Sequence, residues 1–149
     1  MLTLNSHREL EHLRERLKEE RQSIRTTVMV CGGTACQASG SRAVVAALKA
    51  ELSRHGLDDS VRLCVTGCHG FCEQGPIMLI EPGDILYCHV SPDDAFEIVT
   101  QTVMKGELVE HLLYTDPVTA EKIPCQADIP FYRAQDRQLL SRNKFVDPC

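Results

Sequence analysis

Five of the chain's eight cysteines fall between residues 31 and 72, in two glycine-rich clusters. The first is Cys31-Gly-Gly-Thr-Ala-Cys36, a C-x4-C spacing. The second is Cys64-Val-Thr-Gly-Cys68-His-Gly-Phe-Cys72, which contains C-x3-C. Soft thiolates in such numbers hold iron or zinc. Glycines at 32, 33, 67, 70 and 75 let the backbone wrap closely and aim N–H groups at sulfur. Thiol-disulfide exchange would call for a C-x-x-C, and the chain has none. A Rieske centre needs two histidines, yet only His69 adjoins the clusters; it reads as a loop residue that hydrogen-bonds near the site or faces a partner. A radical-type three-cysteine cluster asks for a barrel larger than this chain can form. Zinc stays open, since four thiolates suit a structural zinc site, although common ribbons use C-x2-C knuckles narrower than either pair here.

The elements around the clusters decide whether the thiols can meet. Val28-Met29-Val30 is a short β-rich run that stops at Cys31, and Val61, Leu63 and Val65 alternate up to the second cluster. Between them, residues 41–55 carry Val44, Ala47, Leu48 and Leu52 at helical spacing, with Ser39 or Ser41 as N-cap and Gly56 as stop. The two strands of such a βαβ unit run parallel, so both loops leave the same edge of the sheet and four thiolates can converge. Cys64 falls inside the second strand's alternation and is assigned to packing. Ile77 to Ile80 and Ile85 to Val90 then flank the turn Glu81-Pro82-Gly83-Asp84, a hairpin. Ser91-Pro92 opens the next helix with Ala95, Ile98, Val99, Thr102 and Val103 on its buried face and Gly106 at its end. This β-α-β-β-β-α order predicts an α/β fold, a mixed four-stranded sheet with flanking helices, as in thioredoxin-like folds.

Outside that unit, residues 6–24 form a charged helix with a narrow stripe of Leu10, Leu13, Leu17 and Ile24, facing either its own domain or a partner. Prolines at 117, 124, 130 and 148 break up the end of the chain, where only 131–141 looks helical. The expected organisation is an N-terminal helix (1–25), a core domain (26–105) and an irregular C-terminal extension or linker (106–149) that needs a neighbour. With 16 basic and 21 acidic residues, the net charge of −5 argues against nucleic acid or anionic membrane as partner. No apolar run approaches the roughly 20 residues of a membrane span, and the N-terminus lacks a signal-peptide core, so the chain reads as cytoplasmic.

The stretch from Val28 to Val103, with CGGTAC, VTGCHGFCEQGPIMLI and ILYCHV, resembles the thioredoxin-like 2Fe-2S ferredoxin domain. That domain occurs as the 24 kDa-type subunit of NADH dehydrogenase and at the N-terminus of related flavoprotein subunits, as in NADH-linked hydrogenases and formate dehydrogenases. The resemblance implies a 2Fe-2S cluster held by Cys31, Cys36, Cys68 and Cys72, with Cys64 and Cys88 outside the ligand pattern. It implies one-electron transfer within an FMN-containing, NADH-linked oxidoreductase complex, not catalysis by this chain alone. The implied partners are an FMN/NADH-binding flavoprotein subunit or domain and other iron-sulfur subunits. Residues 129–132 through 146–148 resemble the segment leading into the FMN/NADH domain, but the chain stops at Cys149 before any such motif, so both a fragment and a shortened subunit fit. Cys125 and Cys149 read as incidental thiols. Loops around Thr34, Ala35, Gln37, His69, Phe71 and Gln74 are the expected docking edge. A structural zinc module and a thiol-disulfide oxidoreductase are the competing functions.

Overall fold

The structure is a computed structural model and describes residues 6–138. Helix α1 (His7–Ser23), capped by Ser6, precedes strand β1 (Thr26–Cys31). A short helix α2 (Thr34–Ala38), helix α3 (Ser41–Arg54) and strand β2 (Val61–Thr66) follow. Strands β3 (Met78–Glu81) and β4 (Ile85–Tyr87) form the hairpin. The sheet order is β2-β1-β3-β4, with β1 parallel to β2 and antiparallel to β3, and β3 antiparallel to β4. This is the predicted mixed four-stranded α/β sheet. Among the described residues no helix is long and apolar enough to cross a membrane.

Two layers cover the sheet because β1 and β3 are apolar at successive positions, and alternate side chains point to opposite faces. Val28, Val30, Met78, Ile80 and Tyr87 face one core with Val44, Leu48 and Leu52 of α3. The same core takes Ala95, Ile98 and Val99 from helix α4 (Ala95–Glu97), which continues as a π-helical stretch over Ile98–Val103. Ser91 and Asp94 close a capping box in front of it, with Pro92 in the first turn. Gly106 ends it at φ +74.

Met29, Cys31, Leu79 and Leu86 face the second core, which is closed by Tyr114, Ile129 and Tyr132. The C-terminal stretch therefore finds its neighbour in the chain's own sheet. It carries only the small ladder β5 (Tyr114–Thr115) with β6 (Lys122–Ile123) and a single-turn helix α5 (Pro130–Arg133). The helix expected over 131–141 ends at Ala134, since the chain turns away to bring Arg137 onto the His69 carbonyl; 139–141 lie outside the described residues. Neither Ser39 nor Ser41 caps α3. Ser39 terminates α2, a helix where the sequence predicts only a loop, and Gly40 turns the chain at φ +98 into α3, whose first residue, Ser41, is buried.

Candidate metal centre

The register of β1 on β2 sets the site. Cys31 ends β1 opposite Thr66, the last residue of β2, so both cysteine loops start at one level on the same sheet edge. Gly32 donates its N–H to the Thr66 carbonyl at 2.8 Å, and Cys31 donates its N–H to Ile77 at 2.9 Å, pinning the first loop to the second loop and to β3. Helix α2 then turns Cys36 inward, leaving Thr34, Ala35 and Gln37 exposed. The second loop runs from Gly67 to Phe71 and ends in a 3₁₀ turn, Cys72–Gln74.

All four predicted thiols come together. Cys68 Sγ and Cys72 Sγ lie 3.8 Å apart. Two thiolates on one tetrahedral metal, each at about 2.3 Å, are separated by about that distance. Cys36 sits beside Cys31 and within electrostatic reach of Cys72. Burial pushes the Cys36 thiol up to about 12, with Cys31 and Cys72 adding to it. The adjacent Cys68 thiol raises Cys72 most, with burial and the Cys31 charge behind it. Thiols crowded against one another in this way, whether buried like Cys36 or exposed like Cys72, resist ionisation alone and are relieved by a bound cation, the behaviour of a metal donor set. Among the described residues no three His, Cys, Asp or Glu side chains close on a point that a lone ion could occupy. The donor set present is two pairs of thiols, Cys31 with Cys36 and Cys68 with Cys72.

The backbone is shaped to the sulfurs. A Cβ on Gly75 would stand 2.9 Å from Cys36 Sγ and 3.2 Å from the Cys72 carbonyl, and one on Gly33 would stand 3.1 Å from Cys68 Cβ. Only glycine fits at the first position without displacing a thiol. Gly70 N–H points at Cys68 Sγ at 3.3 Å, a donor of the kind that stabilises negative charge on sulfur. Cys31 and Cys36 are buried, Cys68 is half-buried and Cys72 is exposed, so the site has one closed and one open side.

The other described cysteines lie outside the two loops. Cys64 lies on β2, opposite Met29 and partly packed against the second core. Cys88 is buried in that core, where desolvation pushes its thiol up to about 12. Cys125 Sγ contacts Asp84 at 3.6 Å, and Cys149 lies outside the described residues. Two residues of the expected docking edge are interior. His69 is buried, with Nε2 at 2.8 Å from Thr66 Oγ1. Phe71 is buried against Phe131, Tyr114 and Tyr132. Both depend on residues far along the chain that spacing around the cysteines does not reveal. The remaining candidates, Thr34, Ala35, Gln37 and Gln74, are exposed or half-exposed beside the thiols.

Comparison with known proteins agrees with this geometry. A family model for the thioredoxin-like 2Fe-2S ferredoxin matches residues 18–103. A 2Fe-2S ferredoxin of Clostridium pasteurianum is 36% identical over 77 residues, 52% of this chain and 76% of that protein. The NADP-reducing hydrogenase subunit HndB of Solidesulfovibrio fructosivorans is 28% identical over 128 residues, 83% of this chain and 98% of that subunit. The crystal structure of a thioredoxin-like 2Fe-2S ferredoxin from Aquifex aeolicus superposes with a TM-score of 0.55 at 30% identity, covering 61% of this chain and 97% of the other. The sheet order, the paired thiols and these likenesses lead to one conclusion: the chain belongs to the thioredoxin-like 2Fe-2S ferredoxin family and is an iron-sulfur electron carrier.

Proposed function

We propose that Cys31, Cys36, Cys68 and Cys72 hold the 2Fe-2S cluster and that the chain relays single electrons within an NADH-linked, FMN-containing oxidoreductase complex. The observation that carries the ligand assignment is the meeting of these four thiols at the shared edge of β1 and β2. When bound, the cluster supplies a centre that accepts and returns one electron at a time. The chain's own residues do the rest. Buried Cys31 and Cys36 exclude water from one side, and Gly70 N–H stabilises charge on Cys68 Sγ. Exposed Cys72, with Thr34, Ala35 and Gln37 beside Cys36, offers the edge on which an electron partner docks.

The likeness to a hydrogenase subunit over nearly its whole length supports a place in a multi-subunit oxidoreductase; the neighbour we propose there is a flavoprotein subunit or domain. The proposed location is the cytoplasm, whose reducing conditions keep cysteine thiolates available to a metal centre. Substituting the proposed ligands tests the assignment. Cys31→Ala or Cys68→Ala abolishes the visible absorption and paramagnetic resonance signal of the anaerobically purified protein, while Cys64→Ser leaves both intact. Native spectra from the first two, with loss from the third, would refute it.

A further inference from the structure

The end of the described chain lies outside the residues that match the family, 18–103, yet it reaches the second cysteine loop. Phe131 stacks on Phe71 with ring centroids 4.2 Å apart and planes 9° from parallel, and Tyr132 meets the same ring edge-on at 5.6 Å. Arg137 Nη2 donates to the His69 carbonyl at 2.5 Å, and its guanidinium stands 5.1 Å from the Tyr132 ring centre. His69 and Phe71 lie between Cys68 and Cys72 in sequence, so each of these contacts lands on the loop that carries that thiol pair. Thr66 holds the His69 ring from the other side.

The same segment buries Gln126 Nε2, Tyr132 Oη and Arg137 Nε, with the Gln126 side chain beside the Tyr132 hydroxyl. The Tyr132 hydroxyl is within electrostatic reach of Arg137, Cys88 and Cys31. A guanidinium stays charged at any working pH. A fixed positive charge near a centre that becomes more negative on reduction favours the reduced form.

We propose that Arg137 is a positioning residue of the electron-transfer site: it clamps the 68–72 loop through the His69 carbonyl, and its charge raises the reduction potential of the centre. This rests on the four-thiol reading above. The test uses the full chain, prepared without oxygen, as wild type, Arg137→Lys and Arg137→Gln. Midpoint potentials are measured on the iron-loaded proteins, and rates of Cys68 and Cys72 alkylation on the metal-free ones.

Arg137→Gln shifts the reduction equilibrium about threefold to tenfold toward the oxidised form, which at 59 mV per tenfold for one electron is roughly 30 to 60 mV lower. Arg137→Lys keeps the wild-type potential to within about twofold in the same equilibrium, because it keeps the charge. Both variants alkylate several-fold faster, because both lose the Arg137 Nη2 hydrogen bond to the His69 carbonyl. An Arg137→Gln potential equal to wild type, or an equal fall in both variants, overturns the charge role. Unchanged alkylation in both overturns the clamp. A wild-type chain that binds no iron refutes the four-thiol reading and the charge role with it, while the alkylation rates still decide the clamp.

Discussion

The closest fit in the site is between Gly75 and the Cys36 sulfur. A methyl group at Gly75 would enter at 2.9 Å from Sγ and press on the Cys72 carbonyl at 3.2 Å, so relief comes only by moving a proposed ligand. Gly75→Ala is expected to lower the cluster content of purified protein at least severalfold with the fold retained, read as iron per chain beside a circular dichroism spectrum. Iron content equal to wild type would show that Cys36 has slack. At this scale the sequence was informative where spacing and strand direction suffice: two cysteine pairs, each just past a strand, had to meet once the strands were parallel. It was silent on His69 and Phe71. Their burial depends on Thr66, Phe131, Tyr132 and Arg137, and the last three lie some sixty residues downstream, where no local pattern can reveal a contact.

Among the elements, the turn into α4 has the most explicit local chemistry. Ser91 N–H and Oγ both donate to Asp94 Oδ2 at 2.7 Å, and His111 Nε2 stands 3.2 Å from Oδ1. Burial pushes the Asp94 carboxyl up, but the Ser91 and His111 contacts outweigh it and hold the group below its ordinary value. A carboxylate depressed in the folded state contributes stability above its unfolded pKa and loses it as pH falls through the folded value, so the contribution fades progressively as pH falls below about 4. Asp94→Ala is therefore expected to lower the unfolding free energy by about 1 kcal/mol at neutral pH, with a difference that narrows below about pH 4. Denaturant titrations at both pH values measure it, and a pH-independent difference would contradict the role given to the charge. This helix start was legible from Ser91-Pro92, as were the three long strands and α3. Helix α2 was not, because five residues rich in small side chains carry no period, and the cap of α3 was misplaced because Gly40 substitutes backbone freedom for a side-chain acceptor.

For the molecule as a whole, the sheet is covered on both faces, by α3 and α4 on one and by the C-terminal stretch on the other. That second layer had a signal in the sequence: Val28-Met29-Val30 and Ile77 to Ile80 are uninterrupted apolar runs, the mark of strands buried on both faces, and only one pair of helices was available to cover them. Helix α1 is the exception to this packing. Leu10 and Leu17 are 51% and 44% exposed, and the helix makes no extensive contact with any other described element. Removing residues 1–24 is accordingly expected to change the unfolding free energy by less than about 0.5 kcal/mol and to leave the visible spectrum unchanged, while weakening co-purification with the proposed flavoprotein partner. Intact assembly after truncation would assign the helix no part in it.

The composition of the metal centre is the most direct test of the whole reading. Iron, zinc and acid-labile sulfide are measured on the protein purified without oxygen, together with its absorption spectrum. About two irons and two sulfides per chain in a brown protein are the predicted result; one zinc in a colourless protein, or neither metal, would contradict it.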